Sequence, residues 1–289
     1  MSEVPSHIGV IGGGRMGAGI AQVFLAAGAR VAVVEAGVEA AAAARGRVAS
    51  GLEEAARRGK LTGEVGAVLD RLTLVGTPAD LDPATALVVE AVPERADLKI
   101  AVLTAAETAV GADAVLATNT SSLSVAELAA ALQRPARFLG LHFFNPVPAS
   151  KLIEVVVAPE TAPAVVTAAR GWVQALGKTD VVVRDSPGFA SSRLGVLLGL
   201  EAIRMLEEGV ADAEAIDAAM ELGYRHPMGP LRSTDLVGLD VRLSIAEYLA
   251  STLGDRFSPP QLLRDKVAAG ELGRKTGRGF HTYDQQPPA

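Results

Sequence analysis

The chain has 289 residues, 49% of them hydrophobic and none cysteine, with 27 basic against 33 acidic side chains and a net charge of −6. This length and apolar content can bury one large core or two smaller ones, with about two domains expected, and they exclude a disordered chain. Without cysteine there is no disulfide, thiolate metal ligand or cysteine nucleophile, and the acidic balance leaves no global basic surface for nucleic acid, so any anionic ligand must be held locally.

No apolar run approaches the roughly 20 residues that cross a bilayer, and the opening residues pass into a strand without a basic region or a cleavage site. Neither a membrane span nor export is expected, and a cytoplasmic location is. The segment HIGVIG reads as an apolar strand, the Ala-rich stretch from Arg15 to Gly28 as a helix, and ARVAVVE as a second strand, which together make a βαβ unit. Between these elements lies Gly12-x-Gly14-x-x-Gly17, and Glu35 ends the second strand 18 residues after Gly17. Strand, glycine turn, helix and acidic residue in this order are the signature of a dinucleotide site. Gly12 permits the tight turn, Gly14 admits a pyrophosphate to the backbone, and Gly17 lets helix and strand close up, while the helix N-terminus favours negative charge. Glu35 can accept hydrogen bonds from a ribose diol and repels a 2′-phosphate, which favours NAD over NADP. Arg15 reads equally as a phosphate contact and as an exposed basic residue.

Helix formers then run from Val38 to Leu69, where a simple unit of this kind needs only a short connection, so one or two helices projecting beyond the sheet are expected. Further strand candidates cover residues 72–76, 86–91, 114–118 and 137–143, predicting a Rossmann-type, doubly wound α/β sheet. Thr118-Asn119-Thr120-Ser121-Ser122 ends one of these strands at the edge where such sheets bind ligands, and a hydroxyl there can bond a reacting oxygen. Ser124-Val-Ala-Glu127 resembles a capping box, so Ser124 is expected to cap a helix.

Of the four histidines, His7 is near the N-terminus, His226 sits in a His-Pro-Met-Gly-Pro turn and His281 in the C-terminal tail, whereas His142 lies within the apolar run FLGLHFF, followed by Asn145-Pro146-Val-Pro148 and a second run, LIEVVV, that carries Glu154. Two prolines between two runs predict a turn that sets Glu154 opposite His142. An imidazole backed by a carboxylate is a general base of fixed tautomer, although a structural histidine remains an equal reading of these residues. No two histidines share helical spacing, so no metal site is expected. After a strand at residues 181–184, Asp185-Ser-Pro-Gly-Phe interrupts the pattern, which divides the chain into residues 1–185 and 186–289. The second part is expected to be all-helical, with Leu194, Leu197, Leu198, Ile203 and Leu206 at helical spacing, then helices near residues 212–222 and 235–253, and stops at Pro227, Pro230, Pro259 and Pro260. The late segment GRKTGRGF lacks both the order and the preceding strand of a phosphate loop and reads as a structural turn.

The chain resembles the 3-hydroxyacyl-CoA dehydrogenase family, also called 3-hydroxybutyryl-CoA dehydrogenases, over nearly its whole length. The stretches that carry the likeness are IGVIGGGRMGAGIA, VVEAVPERADLK, ATNTSSLSV, GLHFFNPVPASKLIEVV, DSPGF, HPMGPLRSTDLVGLD and GRKTGRGF. The resemblance implies an NAD-dependent oxidoreductase of fatty acid metabolism that interconverts 3-hydroxyacyl-CoA and 3-ketoacyl-CoA. It implies a catalytic His142–Glu154 pair, Ser121 and Asn145 at the substrate oxygen or thioester, cofactor contacts at Met16 and Asn119, and Glu94 and Lys99 close to the nicotinamide end. The helical excursion after Glu35 would cover the CoA, with Arg57, Arg58 and Lys60 as candidates for its phosphates. For these three a solvated helix face is the competing reading. A homodimer through the second domain is implied as well. The chain departs from the family pattern at Ser192, where the asparagine of DSPGF-x-x-Asn-Arg-Leu is expected to assist at the substrate. Two rival functions are a same-fold dehydrogenase of a small hydroxy acid without CoA, and an NAD-binding structural or regulatory protein without turnover.

Overall fold

The computed structural model describes residues 3–283 and divides the chain into two units, Met1–Ser186 and Pro187–Ala289. In the first unit, β1 (His7–Ile11) leads through the glycine turn into α1 (Arg15–Ala26) and then β2 (Arg30–Val34). The predicted helical excursion is two helices, α2 (Val38–Arg57) and α3 (Val65–Leu69). Over its 20 residues α2 buries only Ala44, Val48 and Leu52, a single stripe four residues apart, so most of this helix is solvated. There follow β3 (Leu72–Val75), β4 (Leu87–Glu90), α4 (Ala96–Ala109), β5 (Val115–Thr118) and the short α5 (Val125–Ala129). The unit ends with β6 (Phe138–Phe143), β7 (Leu152–Val157), α6 (Pro163–Ala175) and β8 (Thr179–Arg184).

These strands form one eight-stranded sheet in the order β3-β2-β1-β4-β5-β6-β7-β8. All neighbours are parallel except β6 and β7, which are antiparallel. The chain winds outward from β1 through β2 to β3, then returns to the other side of β1 with β4. This reversal opens a crevice at the carboxyl ends of β1 and β4, where doubly wound sheets hold their ligands. Parallel strands covered on both faces need continuous apolar runs, and β4, β5 and β6 are buried at every residue. The core gathers Val10, Val33, Val89 and Leu139 from the strands with Ile20 and Phe24 from α1.

The second unit is helical: α7 (Ser191–Glu207), α8 (Ala213–Gly223), α9 (Pro230–Val237), α10 (Leu239–Leu253) and α11 (Gln261–Ala268). Leu200, Ile203, Leu231, Leu239, Leu249, Phe257 and Leu263 form its core. The helix expected over residues 235–253 is in fact the end of α9 followed by α10. Gly238, at φ +104°, breaks the run in a backbone region that disfavours side chains. Pro230 opens α9 instead of stopping a helix, because the first helical position needs no N–H. Among the described residues of the tail, pairing is limited to the isolated bridges Gly273–Arg278 and Arg278–Thr282, in keeping with a structural turn. Among the described residues, no helix is long and apolar enough to cross a membrane, and no group of three metal-ligating side chains gathers.

Candidate active site

The turn after β1 is shaped by backbone contacts that only glycine allows. A Cβ on Gly12 would stand 2.9 Å from the Ala91 carbonyl oxygen, and one on Gly17 would stand 1.8 Å from the Gly12 oxygen. At Gly14 an added Cβ would meet nothing within 4 Å, so the approach to the start of α1 is open. The first backbone N–H groups of α1, Met16 included, have no carbonyl partner inside the helix and face that approach. Glu35, half-buried just past β2, accepts a hydrogen bond from the Gly13 N–H through Oε2. Its carboxylate is therefore held against the glycine turn, where a ribose diol would lie. Room for a pyrophosphate, open donors and a fixed carboxylate fit NAD. Arg47 of α2 also reaches this turn and donates to the Gly13 carbonyl at 3.0 Å.

His142 and Glu154 are direct partners in the β6–β7 register. His142 Nδ1 lies 2.8 Å from Glu154 Oε2, with the two residues 6% and 1% exposed. The predicted turn between the strands is present and contains the cis peptide Asn145–Pro146. Asn145 is exposed on it. Lys178 clasps the turn by donating to the carbonyls of Val147, at 2.7 Å, and Ser150. Burial lowers the pKa of this lysine.

The loops after β4 and β5 meet through Glu94. Its Oε1 accepts from the Thr120 hydroxyl, from the backbone N–H of Ser121 (3.0 Å) and Ser122 (3.2 Å), and from the Ser122 hydroxyl (3.0 Å). Asn119 accepts from the Phe143 N–H at 2.8 Å, tying the end of β5 to the strand that carries His142. Ser124 caps α5, accepting from the Glu127 N–H at 3.2 Å and donating to Asp185 at 2.8 Å. Lys99 is 1% exposed, with its ammonium on Glu90 and Glu94. Ser192 lies in the first turn of α7, in the second unit, and is half-buried.

A cleft of about 630 Å³ opens between the ends of α1 and α2 and the turn after β6. Arg58, Lys60 and Lys178 line it together with Gln22, Pro146 and Pro148. Arg57 and Arg58 both pair with Glu54, whose pKa is lowered first by the hydrogen bond from Arg57 and then by that from Arg58. Reading the sequence missed Arg47 and Lys178, whose partners lie 34 and 28 to 31 residues away, and Glu90, which meets Lys99 and Thr118 from 9 and 28 residues away.

A doubly wound sheet with a glycine turn and a ribose-side carboxylate defines a dinucleotide-binding protein. Residues 7–186 match the family 3-hydroxyacyl-CoA dehydrogenase, NAD binding domain, and residues 188–283 match its C-terminal domain. A probable 3-hydroxybutyryl-CoA dehydrogenase of Bacillus subtilis is 42% identical over 97% of this chain and 98% of its own length. The 3-hydroxybutyryl-CoA dehydrogenase of Mycobacterium tuberculosis is 42% identical over 98% of this chain and 100% of its own. The crystal structure of (S)-3-hydroxybutyryl-CoA dehydrogenase from Ralstonia eutropha superposes with a TM-score of 0.91 at 39% identity, covering 97% of this chain and 99% of that one. The chain belongs to the 3-hydroxyacyl-CoA dehydrogenase family, and its cofactor is NAD.

Proposed function

We propose that the protein interconverts 3-hydroxyacyl-CoA and 3-ketoacyl-CoA, with His142 as general base and acid. The observation that carries this reading is the 2.8 Å contact between His142 Nδ1 and Glu154 at the carboxyl end of β6. With Nδ1 on the carboxylate, proton exchange falls to Nε2, which takes the 3-hydroxyl proton in oxidation and returns it in reduction. Glu154 fixes the ring and stabilises the imidazolium formed. NAD supplies the hydride acceptor or donor at C3 of the substrate. Ser121 holds the reacting oxygen, Asn145 serves the thioester end, and Ser192 stands in for the family asparagine with a shorter hydroxyl. Met16 and Asn119 line the cofactor, and Glu94 lies toward its nicotinamide end.

The CoA moiety is assigned to the cleft lined by Arg58, Lys60 and Lys178, which supplies the local positive charge that the net charge of −6 denies the surface as a whole. A homodimer through residues 186–289 is supported by the exposed apolar side chains of the second unit, among them Leu194 at 68% and Leu222 at 83%. A cytoplasmic role in fatty acid metabolism accords with the absence of cysteine.

The test is NADH oxidation with acetoacetyl-CoA, longer 3-ketoacyl-CoAs and free keto acids. Turnover confined to the thioesters is expected, and faster turnover of free acids would overturn the assignment. NADH should be used far better than NADPH, and Glu35→Ser should narrow that gap, since Arg47 already stands beside the turn. Equal use of both cofactors by the unaltered protein would contradict the role of Glu35.

A further inference from the structure

The buried stripe of α10 reads Leu239, Arg242, Ala246 and Leu249, and all but Arg242 belong to the apolar core of the second unit. Arg242 is 6% exposed, and its Nε has no hydrogen-bond partner among the described residues. The buried Thr234 hydroxyl nearby is committed elsewhere, donating to the Pro230 carbonyl at 2.9 Å. Burial lowers the pKa of the guanidinium to about 10, and no neighbouring carboxylate opposes that shift. The group is therefore a cation at neutral pH without a counter-charge beside it. Such a buried ion is costly unless a bound anion answers it.

The guanidinium faces α7, where Gly195 and Gly199 lie one turn apart. A Cβ on Gly199 would stand 3.9 Å from Arg242 Nε, and one on Gly195 would meet Arg242 Nη1 at 3.6 Å and no other group within 4 Å outside its own helix. Side chains are thus missing from α7 where they would cover the charge. Ser192 precedes Gly195 by three residues, so the two share a face of α7 and stand about 4.5 Å apart along its axis. We propose that Arg242 is a specificity-determining residue that receives a second carboxylate at the far end of the acyl group, so that the preferred substrates are dicarboxylic 3-hydroxyacyl-CoAs and their 3-keto forms. The inference rests on the reading that Ser192 meets the reacting end of the substrate. From there roughly three carbon–carbon bonds of about 1.5 Å reach Gly195, which corresponds to an acyl group of about six carbons. The planar fork of a guanidinium matches a carboxylate through paired N–H groups. A slim methylene chain fits beside a glycine, whereas a protein surface cannot reach a group so enclosed.

The test compares 3-ketoadipyl-CoA with 3-ketohexanoyl-CoA, which share one chain length and differ in a terminal carboxylate against a methyl group. The unaltered protein should show kcat/KM at least about tenfold higher for the diacid, as for a site built around a polar group of its substrate. Arg242→Met keeps the bulk, removes the buried charge and should bring that ratio to about one or below. Arg242→Lys, with the charge but without the fork, should fall between. Gly195→Leu leaves the charge and closes the approach, and it should lose the preference as well. Independently of turnover, free adipate should raise the melting temperature of the unaltered protein and not that of Arg242→Met. A ratio near one in the unaltered protein, or a ratio that Arg242→Met leaves unmoved, would overturn the proposal. Inorganic phosphate protecting as well as adipate would also overturn it, since the guanidinium would then hold an adventitious ion only. If no 3-ketoacyl-CoA were turned over while adipate still protected through Arg242, the proposed reaction would fail and the carboxylate site would stand.

Discussion

Each unit buries one histidine against a carboxylate, and the two pairs are nearly alike in length: His142 to Glu154 at 2.8 Å, and His281 to Asp217 at 2.9 Å. They differ in what surrounds them. Asp217 also accepts the backbone N–H groups of Leu231 (2.8 Å) and Arg232 (3.0 Å), closing the first turn of α9. The other ring nitrogen of His281 faces Glu214 at 3.8 Å, and its backbone N–H donates to Asp235 at 2.9 Å. Both faces of that ring and its main chain are thus committed to pinning the tail on α8 and α9. His142 comes instead from the penultimate residue of a strand whose carboxyl end borders the ligand crevice, and its carboxylate is set by strand register. A histidine–carboxylate contact is therefore not in itself a catalytic mark. What distinguishes the pairs is their place: one lies at the carboxyl end of the sheet and is set by strand register, and the other pins the tail to two helices.

The largest expected effect separates the two rings. If His142 is the general base proposed above, His142→Gln should cut turnover by a factor on the order of 10² or more, while NADH affinity and melting temperature stay close to those of the unaltered protein. His281→Gln should do the reverse, lowering the melting temperature and leaving kcat of the folded protein within a few fold. If the two variants behaved alike, the contrast would collapse.

The next effect concerns the carboxylates. Glu154→Gln keeps shape and removes charge, so it should act on kcat by roughly ten- to a hundredfold with little change in KM. Asp217→Asn removes an acceptor shared by two backbone donors and an imidazole, which should cost about 1–3 kcal/mol of stability. Urea denaturation of both variants beside steady-state kinetics measures this. A Glu154→Gln enzyme that is mainly unstable, and not slow, would make His142 a structural residue after all.

The pairing of His142 with Glu154 could be read in the sequence and that of His281 with Asp217 could not, for a physical reason. His142 and Glu154 are 12 residues apart on two runs joined by a proline turn, so local geometry sets their register. His281 and Asp217 are 64 residues apart on elements with no common period, and only packing brings them together. The same holds elsewhere. The glycine turn was legible because close backbone contact demands glycine at fixed spacing, whereas Glu90 looked like the polar end of an apolar strand until α4 laid Lys99 over it. Apolar periodicity ran through Gly238 and merged two helices, since one glycine is a weak break by itself. Arg47 belonged to a helix face that reads as solvated, and only the fold turns it toward Gly13.

The smallest effect lies in the tail itself and is read by pH. Tyr283 donates to Asp235 at 2.9 Å, and Asp235 also accepts the Phe280 and His281 N–H groups. Burial raises the phenol's pKa most, followed by the bond to Asp235 and that carboxylate's charge. Arg232 opposes the shift and Asp217 adds to it. The folded protein thus keeps this proton at a pH where the unfolded chain has released it. Where the native state binds more protons, stability falls as pH rises. The contribution of Tyr283 is complete below the unfolded value of about 10 and declines above it. Tyr283→Phe should lower the melting temperature at pH 8 by about 2–4 °C, as expected for the loss of a net hydrogen-bond contribution of about 1 kcal/mol in a chain of this size. The gap should narrow as both proteins are melted at increasing pH above about 10. Taking the difference between the two proteins cancels other alkaline titrations, including that of the buried Arg242, whose pKa burial lowers to about 10. A gap that stays constant with pH would mean that the phenol packs against the tail without donating to Asp235.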